Sequence, residues 1–111
     1  MIKTFQIGNN KIPFELTLGA RRNFEIETGT TLNKFSEACE NNELHVDHWM
    51  CLLWVGLRAG SRKNGSHFNM TYPQFIAWLE DEGYSEETIV YETVSFLGLV
   101  NDTTAAAAKK P

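Results

Sequence analysis

Val46-Asp47-His48-Trp49-Met50-Cys51-Leu52-Leu53-Trp54-Val55-Gly56-Leu57 is the most apolar stretch of the chain, and its spacing decides the fold. Val46, Trp49, Met50, Leu53, Trp54 and Leu57 recur at i, i+3, i+4, i+7, i+8 and i+11, the stripe of an amphipathic helix. Leu52 and Val55 add apolar surface on the opposite side. A helix that is apolar on both sides needs neighbours all round it, so this segment is expected to be the centre of a helical core.

Upstream, the pattern is first one of strands. Thr4-Phe5-Gln6-Ile7 alternates polar and apolar, and so does Ile12-Pro13-Phe14-Glu15-Leu16. Between them Gly8-Asn9-Asn10-Lys11 supplies residues that tolerate the positive φ of a tight turn. Pro13 cannot donate to a ladder, which leaves the second strand a free edge, and two strands alone must lie on helices to be stable. From Thr17 the period changes. Thr17 caps a predicted helix over Leu18 to Thr28, with Gly29 as its stop. Thr30 or Thr31 caps a second helix carrying Leu32, Phe35, Ala38 and Cys39, which the Glu40-Asn41-Asn42-Glu43 cluster ends.

Downstream, Gly60-Ser61-Arg62-Lys63-Asn64-Gly65-Ser66 reads as a polar loop bounded by glycines. Thr71, Pro73 and Gln74 then spell a capping box with proline in the first turn, opening a fourth helix through Phe75, Ile76, Trp78 and Leu79 to Gly83. Ser85 caps a fifth, with Glu86 and Glu87 at the positive end of its dipole and Ile89, Thr93, Phe96, Leu97 and Val100 as its stripe. The fold class is therefore mainly α, about five helices with a short N-terminal β-hairpin. We expect one domain over residues 1–100 and a flexible, disordered tail over 101–111, where Ala105 to Ala108 is too short to hold a helix alone.

The chain's 111 residues are enough for one core without metal or disulfide. A formal net charge of −4 argues against nucleic acid as the main partner, since phosphate binders carry a basic excess. The charge is uneven. Residues 72–99 hold Glu80, Asp81, Glu82, Glu86, Glu87 and Glu92 with no Lys or Arg, whereas Arg58, Arg62 and Lys63 cluster just upstream. Such asymmetry suits a solvated acidic face, an oriented partner surface or head-to-tail contact between copies. No run of about 18 apolar residues is present to span a membrane, and the start lacks the pattern of a secretion signal, so a cytoplasmic protein is expected.

Chemistry-bearing residues are sparse. Cys39, His45, Asp47, His48 and Cys51 bring metal-ligand types together, but Cys-x5-His-x2-His-x2-Cys is not a zinc spacing. Cys51 lies between Met50 and Leu52, an inert setting for a thiol rather than a nucleophile's. No serine elbow or phosphate loop is present. We expect no catalytic residue, no metal and no cofactor. Trp49, Trp54, Phe75 and Trp78 are a heavy aromatic load for so small a domain. Core packing accounts for most of it, but tryptophan is seldom fully covered. These four are accordingly the candidate partner-binding residues, forming a groove for an amphipathic helix.

Three blocks, in order, resemble a known family: Leu18-Gly19-Ala20-Arg21-Arg22-Asn23-Phe24-Glu25-Ile26-Glu27-Thr28-Gly29 with Leu32, then Leu52-Leu53-Trp54-Val55-Gly56-Leu57-Arg58-Ala59-Gly60-Ser61-Arg62-Lys63, then Met70-Thr71-Tyr72-Pro73-Gln74-Phe75-Ile76-Ala77-Trp78-Leu79-Glu80-Asp81. Each is similar to a segment of the tail assembly chaperones of long-tailed bacteriophages and prophages. The likeness lies in order and spacing over residues 3–100, not in any strict motif. It implies a non-enzymatic morphogenesis factor of the host bacterial cytoplasm, absent from the mature virion. Such a protein binds the tape-measure protein, keeps it soluble and helps recruit tail-tube protein subunits. The resemblance also implies a longer form made by programmed frameshift. A homo-oligomer is compatible with it. The alternatives are a small DNA-binding prophage regulator and a tail structural or completion protein.

Overall fold

The computed structural model of the chain describes residues 3–41, 45–65 and 68–100. The expected tail over 101–111 lies outside them. In order, the elements are β1 (Lys3–Ile7), β2 (Asn10–Phe14), α1 (Leu18–Thr28), α2 (Leu32–Glu40), α3 (Val46–Lys63), α4 (Tyr72–Asp81) and α5 (Glu86–Val100). The described residues are thus mainly α with an N-terminal hairpin, as the hydrophobic periods predict.

Strands β1 and β2 pair antiparallel, with Phe5 opposite Ile12 and Ile7 opposite Asn10. Gly8 turns the chain at φ 60°. Alternation buries Phe5, Ile7, Ile12 and Phe14 on the face turned to the helices. The second strand stops at Phe14, short of the Leu16 that the alternation predicts. The reason is a change of partner: the Glu15 amide donates to the Gly56 carbonyl of α3 at 3.0 Å, and Leu16 is left 46% exposed.

Helix α3 is the axis of the fold, packed against β2, α1, α4 and α5. Its 18 residues extend roughly 27 Å at the helical rise, about the short dimension of a molecule measuring 36 × 29 × 28 Å. Trp49, Cys51, Leu52, Leu53, Trp54, Val55 and Leu57 are all buried, so both sides of the helix are indeed covered. One boundary corrects the sequence reading. The Gly60–Ser66 stretch is not a loop from its start, because α3 continues through Gly60 and Ser61 to Lys63. Tertiary packing overrides the polar composition here. A Cβ on Gly60 would overlap the Pro13 carbonyl, and one on Gly56 would overlap the Phe14 ring. Glycine at these two positions lets the hairpin backbone lie directly on the helix.

The remaining helix ends follow local chemistry. Thr17 Oγ1 accepts from the Ala20 amide and Thr31 Oγ1 from the Lys34 amide. Thr71 and Gln74 form the expected reciprocal capping box. Ser85 and Thr88 cap the start of α5 in the same manner, each side chain accepting from the other's amide. Aromatic edges join the elements. Phe96 of α5 meets Phe5 and Phe14 of the hairpin at 5.2 and 5.1 Å between centroids, and Phe35 of α2 meets Trp49 at 4.9 Å.

Candidate functional site

The four aromatics singled out from the sequence do not form an open groove. Trp49, Trp54 and Phe75 are only 4%, 5% and 0% exposed, and Trp78 alone is partly exposed. Burial of Trp54 is possible because its indole N–H donates to the Met70 carbonyl at 3.0 Å, which removes the polar cost of covering it. Its ring also stacks near Tyr72 at 5.3 Å and lies 5.1 Å from the Arg58 guanidinium. Trp49 is held by Phe35, and its ring N–H is buried with no partner among the described residues. The expectation of a groove lined by all four is thereby corrected: wrapping α3 on every side spends three of them on the core.

At the start of α3, His45, Asp47, His48, Cys51 and Tyr72 come near one another without making a reactive centre. Tyr72 donates its hydroxyl to Asp47 Oδ1 at 2.7 Å, pinning α4 to the first turn of α3. Burial, reinforced by that hydrogen bond, pushes the Tyr72 pKa upward. The His48 ring is flanked edge-on by Phe24 and Phe35, at 6.3 and 6.1 Å. That burial, with His45 next to it, lowers its pKa, against a smaller opposing pull from Asp47. Cys51 is fully buried and its thiol is pushed up to about 12, chiefly by desolvation. A thiol so protonated is no nucleophile at neutral pH. Cys39 is likewise raised by burial. Among the described residues no cluster of three or more His, Cys, Asp or Glu side chains is placed to hold a metal ion.

Among the described residues two grooves have the shape of docking sites. The first is a groove of about 770 Å³ between the N-terminus of α1 and the C-terminal half of α3. Leu18, Ala20, Val55 and Phe68 give it apolar walls, and Arg58 and Arg62 stand on its rim. Leu18 is 88% exposed, and Ile26, two turns further along α1, is 61% exposed. The second is a shallower groove of about 440 Å³ along α5, lined by Val46, Val90, Tyr91 and Val94 with Glu86 and Glu87 at one end.

Sequence reasoning placed Leu18 and Ile26 on a helix but did not single them out. The signal was present: Ala20 and Phe24, four apart, are the buried pair of α1. Leu18 and Ile26 each lie two residues outside that pair, which puts them on the far side of a 3.6-residue period. Among the described residues no helix is long and apolar enough to cross a membrane. Comparison of the chain with protein-family models, with curated proteins and with solved structures finds no match.

Proposed function

We propose that the chain is a non-enzymatic phage tail assembly chaperone whose α1–α3 groove binds apolar helical segments of a tape-measure protein and keeps that protein soluble while tail-tube subunits are recruited. The observation that carries this reading is the exposure of Leu18 in the wall of an open apolar groove, with Ile26 exposed further along the same helix. A small domain leaves such side chains in water at a cost of aggregation, and contiguous exposed apolar surface usually marks an interaction site. The order of the three sequence blocks gives independent support, and the first two of them supply both walls of the groove: Leu18 and Ala20 from one, Val55, Arg58 and Arg62 from the other. An amphipathic helix is the occupant such a trough accommodates.

The test is co-expression with the tape-measure protein of the same genome, scoring how much of that protein stays soluble and co-purifies. Rescue of solubility by the wild-type chain is expected, with loss of the complex when Leu18 and Ile26 are both changed to Ala and the fold is intact. No rescue and no complex would sink the reading. A second reading, a DNA-binding prophage regulator, draws on the Arg58 and Arg62 rim. It requires a gel shift that weakens steeply with salt.

A further inference from the structure

Leu18 and Tyr91 are the two most exposed large apolar side chains among the described residues, at 88% and 69%. They stand in opposite electrostatic settings. Leu18 lies beside Arg58 and Arg62, and Arg62 makes no ion pair among the described residues. It also opens α1, whose first turn carries no acidic residue, so the positive end of that helix dipole is met at the groove by the neutral Thr17 cap and by no carboxylate of the helix. Tyr91 lies in the stripe Glu87, Val90, Tyr91, Val94, spaced i, i+3, i+4 and i+7 along α5, with Glu86 beside it. No Lys or Arg occurs anywhere from Tyr72 to Leu99 to neutralise that face.

The two surfaces are complements in charge, one an apolar trough with a cationic rim and the other an apolar face, with Tyr91 exposed on it, that has an anionic end. We propose that the groove of one molecule docks against the α5 face of a second copy, Tyr91 foremost, so that the chain assembles head to tail. Charge decides the geometry. Pairing like faces across a two-fold axis would set Arg62 against Arg62 or Glu87 against Glu87, and like charges set against each other across an interface repel. Unlike faces attract, and because the donor and acceptor surfaces differ, each added copy leaves one of each free. Such a heterologous contact closes into a ring or continues as a filament.

This inference uses the groove but not the client, and it is read on the purified chain alone, so it stands or falls apart from the chaperone reading. Two doubly substituted chains test it, both altered only at exposed positions and both to a neutral residue so that the altered faces do not attract: Leu18→Ser with Arg62→Ser, and Glu87→Ser with Tyr91→Ser. Sedimentation velocity is run on each, on the wild type, and on a one-to-one mixture, with circular dichroism to establish that both variants keep the wild-type helix signal. The wild type is expected to form species larger than a dimer as concentration rises, and these shrink when salt shortens the Debye length to about 3 Å at 1 M. Each variant alone should be monomeric, since one of its two faces is disabled. Mixed, each variant lends its one intact face to the other, so the mixture should yield a species of twice the monomer mass and stop there. A wild type that stays monomeric at every concentration overturns the proposal, as does a folded mixture that forms no dimer or an association that neither pair of substitutions alters.

Discussion

Thr93 sits on the inner face of α5 with no exposure, and its hydroxyl finds no partner among the described residues. A buried donor left unmade costs about 1–3 kcal/mol, so Thr93→Val, which keeps the shape and removes the hydroxyl, should stabilise the fold by about 1 kcal/mol in urea titration. A loss of stability would mean that the hydroxyl is bonded after all. His48 makes the opposite kind of point, since its environment is apolar but its proton is mobile. Held between Phe24 and Phe35 with its pKa lowered from 6.5, it stays neutral in the folded chain at pH values where the unfolded chain takes up a proton. Its cost is nil above that value and grows as pH falls through 6.5 toward the lower folded pKa. Thermal midpoints measured from about pH 7.5 down to about pH 5.5 should therefore decline, and His48→Gln should flatten the decline. An unchanged slope in that variant would assign the effect elsewhere.

Each helix start shows which parts of the architecture were legible. Thr17, Thr31, Thr71 and Ser85 each announce a helix in the sequence, because a side-chain oxygen meeting an amide three residues on is a local event. The Thr71–Gln74 box is the clearest case, and Thr71, being exposed, contributes little besides its cap. Thr71→Ala should cost about 1 kcal/mol by chemical denaturation, with the fold otherwise unchanged. What a local reading misses is decided from outside the segment. Gly60 and Ser61 look like the start of a loop but continue the helix, with the Pro13 backbone lying on Gly60 and Ser61 buried, which only the folded neighbour reveals. The candidate site divides the same way. The sequence shows how much aromatic surface there is but not where it goes, and the cost of covering Trp54 is offset by the Met70 carbonyl, 16 residues away, which takes its N–H. Leu18 and Ile26 are the reverse case, readable from their offset to Ala20 and Phe24 but lacking the size that draws attention.

Viewed as one body, the molecule is a helix wrapped on every side, with its charges sorted to different faces. The wrapping is closed by Phe96, whose ring meets Phe5 and Phe14 from the two strands at once. Deleting a buried phenylalanine side chain costs about 3–5 kcal/mol, and Phe96→Ala should loosen hairpin and last helix together. Tryptophan fluorescence and helical circular dichroism should then fall in a single earlier transition; separate transitions would show two independent units. That same three-ring contact sets a timetable for the chain as it is made. Synthesis runs from the N-terminus, so the hairpin emerges well before Phe96, its aromatic cover. Until residue 96 is released, Phe5 and Phe14 lack the side chain that seals them, and the entropy of closing a loop almost as long as the domain must be met in one late step. A nascent chain of this protein thus carries an unfinished apolar surface from the birth of the hairpin until Phe96 is made.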